Sequence, residues 1–201
     1  MELVDAAANA FEDVFATSPA AFGCAPGRVE VLGNHTDYNE GFILSAAIDR
    51  HVVVCGRPVD GDTARVYART FQEGESFSIR APERTEDHFW LNFVQGVVDV
   101  LAKRGVRVGA FEALILGDVP LGAGLSSSAA IEVATALFLQ QLFPYEMSRT
   151  DLARTCQKAE NDFVGVNCGI LDQFTSVMGA QDHLVFLDCR DLDKFETIPL
   201  G

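Results

Sequence analysis

Arg28 stands just before a short apolar stretch at 29–32, and Asn34, His35 and Asp37 follow it across a Gly33 corner. Short polar side chains on a rigid strand end can grip a small polyhydroxy ligand. A second group lies at 117–130, where Gly122, Ala123, Gly124 and Leu125 lead into Ser126, Ser127 and Ser128. Such glycines let the backbone approach a ligand, and the N–H groups of a helix's first turn lack partners, so the segment offers an anion site. A serine hydroxyl there can also reach a magnesium ion. No lysine follows the last glycine, and the spacing is G-x-G-x-x-S, which excludes a Walker loop and the dinucleotide fingerprint. The plainer reading is a glycine turn with a serine cap. The third group is Glu160 and Asp172. Glu160 falls off the apolar face formed by Leu152, Cys156, Ala159 and Phe163, and reads as a surface acid. Asp172 falls in a first helical turn, where the helix dipole favours its charge. The two acids carry chemistry only if they point back at the glycine loop.

Elements that position these groups are legible in outline. Leu3, Ala7, Phe11 and Phe15 recur at four-residue spacing and predict a helix over 2–17. Strands are expected at 29–32, 51–55, 64–69, 76–80, 111–116 and 183–187, with 42–48 apolar. A turn is expected at 56–62 and a hairpin turn at 73–75. Helices are expected at 90–103, ended by Gly105, and at 126–142, ended by Pro144. Ser148 and Asp151 form a capping signal for a helix to about 163, and a shorter helix covers 170–178. Strands lead and helices cluster later, which predicts α+β rather than alternating βαβ.

The 201 residues suffice for one large domain, and 48% hydrophobic content supports a core. A net charge of −14 argues against nucleic acid and anionic membrane as partners. Five widely spaced cysteines without a C-x-x-C pair point to reduced thiols, a cytoplasmic setting and no zinc site. No apolar run approaches the roughly 20 residues of a membrane span.

Together the motifs resemble the N-terminal half of a galactokinase, in the GHMP family of small-molecule kinases. The likeness runs from about Phe22 to Gly179. It rests on the signature at 27–38, the loop at 120–130, the segment at 168–173 and the Trp90-Leu91-Asn92-Phe93 helix, in the family's order. The resemblance implies the GHMP-kinase N-terminal fold (ribosomal protein S5 domain 2-like), a mixed sheet packed against helices, with residues 1–201 as that one domain. It also implies ATP, Mg²⁺ and galactose or a similar sugar as ligands. Asp172 would accept the anomeric proton beside Arg28. Asn34, His35, Asp37 and the backbone of Gly169 would hold the sugar. Residues 122–128 would cradle the triphosphate, with Trp90 flanking the adenine, and Ser128 and Glu160 would hold the metal. A carboxylate beside an arginine is a weak base, which suffices where a loose transition state needs little nucleophile activation. Glu30 stands where Asn is usual, Asn34 where Glu is usual, and Ser45 where Pro is common. The family's second, ferredoxin-like half has no counterpart after Asp182. The expectation is therefore a chain inactive by itself, with an apolar face open to self-association. A non-catalytic sugar or nucleotide sensor on the same fold, or a GHMP kinase for another substrate, is the alternative.

Overall fold

The computed structural model describes residues 2–33 and 35–201. Asn34, assigned to the sugar side, lies outside the described residues. The elements are α1 (Glu2–Phe15), β1 (Ala21–Leu32), β2 (Phe42–Pro58), β3 (Thr63–Ala68), β4 (Glu73–Ser78), α2 (Leu91–Lys103) and β5 (Phe111–Gly117). They continue with α3 (Ser127–Leu142), α4 (Arg149–Lys158), a π-helical turn (Ala159–Val164), α5 (Leu171–Met178), β6 (His183–Asp188) and β7 (Phe195–Pro199).

The strands form one mixed sheet in the order β4-β3-β5-β2-β6-β7, with β1 paired to β2. Among the described strands, β3 and β5 form the one parallel pair. The long β2 organises the sheet. It pairs with β1 over most of its length, with β5 through Val52 to Pro58 and with β6 through Phe42 to Ser45.

The two-residue period of β2 and β5 sorts side chains to two faces. Val52, Val54, Ala113 and Ile115 pack under α2 and α3, against Val94, Val97, Val133 and Phe138. Val53, Cys55 and Leu114 face the other way and bury Ala7, Ala10 and Phe11 of α1. A third cluster joins Ile43, Val185 and Leu187 to Ile170, just before α5, and to Leu171 and Phe174 within it. The α+β mixed sheet packed against helices is as the sequence predicts.

Several boundaries differ. β1 begins at Ala21 rather than 29, running through Pro26 and Gly27 by an irregularity between Pro26 and Arg28. The segments at 42–48 and 51–55 are one strand that extends to Pro58. The β3–β4 turn falls at 69–72, so Glu73, Gly74 and Glu75 belong to β4 instead of the turn. The helix expected to 163 stops being α-helical at Lys158 and widens into the π turn.

Candidate functional site

Arg28, near the end of β1, is tied to the glycine loop and to α5 at once. Its backbone N–H donates to Leu125 O at 3.1 Å. Its Nη1 donates to Gly124 O at 2.8 Å. Nε and Nη2 both donate to Oδ1 of Asp172, at 2.9 and 2.5 Å. The pair is largely shielded, with 13% and 25% of the two side chains exposed. The second Asp172 oxygen, Oδ2, accepts from Ser126 Oγ. Asp172 therefore does point back at the glycine loop. Ser126 occupies the N-cap position of α3, but it sits at φ 56° and makes no side-chain cap bond. Its hydroxyl serves Asp172 instead. α5 is anchored by Ser176 Oγ, which donates to Pro26 O at 2.7 Å, and by a 2.6 Å bond between the hydroxyls of Thr175 and Ser45.

Gly122 and Gly124 hold φ of 68° and 70°, and a side chain there would meet open space. The left-handed turn they allow uncovers the start of α3. Arg28, Gly122, Gly124, Leu125, Ser126, Ser127, Ser128 and Asp172 line one cleft. An apolar pocket adjoins it, sharing Ser127 and lined by Trp90, Phe71, Val52, Ile115 and Leu121. The loop and helix start fit a nucleotide triphosphate: backbone room, orphan N–H groups and a flat apolar slot beside them.

Asp37 reaches the same corner from the polar loop. Its Oδ2 accepts from the Leu171 N–H at 3.2 Å, at the start of α5, and its carboxylate lies against Gly169. His35 (φ 62°) pairs through Nδ1 with the Tyr38 hydroxyl at 2.5 Å, and its carbonyl accepts from Asn39 Nδ2 at 2.7 Å. Thr36 Oγ1 bonds Gly33 O and Phe42 O, closing the loop on itself.

Glu160 corrects the sequence reading. It is only 5% exposed and is no surface acid. The i→i+5 bonds of the π turn, with Gly165 N–H on Glu160 O at 3.0 Å, advance each residue less than the about 100° of an α-helix. Glu160 follows Cys156 by four residues and Ala153 by seven, both fully buried, and so shares their face. Its Oε2 accepts from Gln173 Nε2 at 2.6 Å and from Cys168 Sγ at 3.3 Å. The Ser128 side chain lies near the same carboxyl. Burial pushes the Glu160 carboxyl up from its ordinary range, against the pull of those bonds. Among the described residues no cluster of three His, Cys, Asp or Glu side chains forms a protein-only metal site. A hydroxyl and one carboxylate beside a triphosphate cleft nevertheless suit Mg²⁺, which takes one or two protein oxygens and fills its shell with phosphate and water.

Two site residues escape sequence reasoning. Gln173 and Glu132 are fully buried, and Gln173 Nε2 also donates to Glu132 Oε2 at 3.0 Å. Glu132 lies four residues after Ser128 on α3, and that spacing on an apolar helix is the one available signal. Burial, with the charge of Glu160 adding, pushes its carboxyl well up.

The profile of the GHMP kinase N-terminal domain matches residues 92–180, and that of the galactokinase galactose-binding signature matches residues 9–58. The fold superposes on the galactokinase of Lactococcus lactis, solved with galactose. The TM-score is 0.92 at 33% identity, over 98% of this chain and 52% of that one. Mevalonate kinase of Methanococcus jannaschii matches at TM-score 0.70 and 17% identity, over 88% of this chain and 55% of that one. Streptococcus pneumoniae phosphomevalonate kinase, solved with phosphomevalonate and AMPPNP, matches at 0.62 and 18%, over 82% and 48%. The last two show the fold alone. The chain spans about half the length of each of these structures.

Proposed function

The chain belongs to the GHMP kinases and is similar to the N-terminal half of a galactokinase, and from that premise we propose that it supplies the sugar- and ATP-binding unit of a galactokinase. In this reading residues 1–201 act as one domain. The reaction is transfer of the ATP γ-phosphoryl group to the anomeric hydroxyl of galactose, giving galactose 1-phosphate. The observation that carries it is the junction of Arg28, Asp172 and the glycine loop, within one cleft beside the Trp90 pocket.

Asp172 would orient the sugar hydroxyl and accept its proton. Arg28, held by Gly124 O and Asp172, would face the charge that builds on the transferring group. The loose transition state asks for positioning and charge neutralisation more than for a strong base. The α3 N-terminus and residues 122–128 would hold the triphosphate, and Trp90 the adenine. Mg²⁺, bound by Ser128 and Glu160, would neutralise phosphate charge when present. Asn34, His35, Asp37 and the Gly169 backbone would grip the sugar. The free thiols at all five cysteines support a cytoplasmic setting. Among the described residues no helix is long and apolar enough to cross a membrane.

Calorimetric titration of this chain with galactose, with and without Mg-AMPPNP, tests the reading. Saturable galactose binding, lost in Asp37→Ala, is expected. Nucleotide binding with no response to galactose would move the substrate to another sugar. A longer protein carrying these residues should phosphorylate galactose and lose that rate in Asp172→Ala; a retained rate would overturn the catalytic assignment.

A further inference from the structure

Gln173 links two buried carboxyl groups through a single amide nitrogen, with Nε2 2.6 Å from Glu160 Oε2 and 3.0 Å from Glu132 Oε2. An amide NH₂ has two protons, one for each acceptor. The three residues come from separate elements: Glu132 from α3, Glu160 from the π turn and Gln173 from α5. The far oxygens of Glu132 and Gln173 have no hydrogen-bond partner. For stability alone, two apolar side chains of similar shape would serve this core at least as well. What the arrangement does is hold one oxygen of Glu160 on a fully buried amide. Ser128, one turn before Glu132 on the same face of α3, stands at that same carboxyl.

We propose that Gln173 and Glu132 are positioning residues that fix the Glu160 carboxylate as a metal ligand. Gln173 follows Asp172 directly, so α5 carries the proton acceptor and the metal-site strut in adjacent residues. The α3–α5 contact thereby sets the metal against the reacting groups. The inference rests on reading Glu160 as a ligand of the nucleotide's metal.

The test measures AMPPNP affinity of this chain with Mn²⁺ and with EDTA. The ratio is the gain due to metal. Gln173→Met and the double variant Glu132→Met/Gln173→Met should lose about tenfold or more of that gain, as outer partners of metal ligands commonly do. Their EDTA affinity should stay at the wild-type value, and the double variant should melt no lower than wild type. Folded variants with the full gain would overturn the proposal. Collapse of the double variant would overturn it too, because the pair would then be structural. Glu160→Gln separates the two readings. If it keeps the gain, the metal assignment itself fails; if it loses the gain while Gln173→Met keeps it, only the strut fails.

Discussion

Gly169 has no room for a side chain, because a Cβ there would run into the Asp37 carboxylate. That carboxylate also takes the Leu171 N–H, so the polar loop and the start of α5 are fixed to each other through it. Gly169→Ala should push Asp37 away from its seat. Galactose affinity is expected to fall by about tenfold or more, which is about 1.4 kcal/mol. Metal-free AMPPNP affinity should change by less than about twofold, since the glycine loop is a separate contact. Parallel titrations with the two ligands check this. Glu132 permits a pH test at the same scale. Its carboxyl is raised in the folded chain, so the folded state holds its proton more tightly than the unfolded state. Stability is then fully present below the ordinary value of 4.5 and is lost as pH rises toward the folded value. Glu132→Gln removes that loss. Its melting temperature relative to wild type should climb as pH goes from about 4.5 upward. A difference that stays flat, or shrinks, would contradict the burial argument.

α4 starts where Ser148 Oγ accepts the Asp151 N–H at 3.0 Å and donates to Asp151 Oδ2 at 2.8 Å. Ser148→Ala should cost about 1 kcal/mol, read as a lower urea midpoint with an unchanged slope. This cap was legible in the sequence because it is local, as were the glycine loop and the ends of α2 and α3. Elements were misread where tertiary structure overrides local signals. Pro26 and Gly27 look like strand breakers, yet they sit at an irregularity that β2 tolerates. Asp49 and Arg50 look like a gap, yet β2 carries them on an exposed stretch without interruption. β7 gave no signal because it is an edge strand with four of its five residues exposed. Glu160 lies off the stripe of Leu152, Cys156, Ala159 and Phe163, but the buried face is wider and also takes in Ala153 and Glu160. The metal-ligand role proposed for it came from the family resemblance, not from its spacing. Gln173 and Glu132 were invisible for a different reason: their meaning lies in a contact between residues 41 positions apart.

The whole molecule carries a net charge of −14, while the ligand proposed for the cleft is itself an anion. The attraction that holds a triphosphate is short-ranged. It would come from Arg28, the one basic side chain among the described residues that line the cleft, and from the N–H groups of the α3 first turn. The repulsion is long-ranged and belongs to the summed acid excess. Salt separates the two, because the screening length falls from about 30 Å at 0.01 M to about 8 Å at 0.15 M. Added NaCl should therefore weaken the approach barrier well before it weakens contacts inside the cleft. The association rate of a fluorescent ATP analogue, followed by stopped flow at fixed Mg²⁺, is expected to rise over that range, by about two- to fivefold, with little change in dissociation. A cleft that steers anions by a surrounding basic field gives the opposite slope. A rate that falls with salt would show that the local charge of the cleft, and not the acidic body around it, governs capture of the nucleotide.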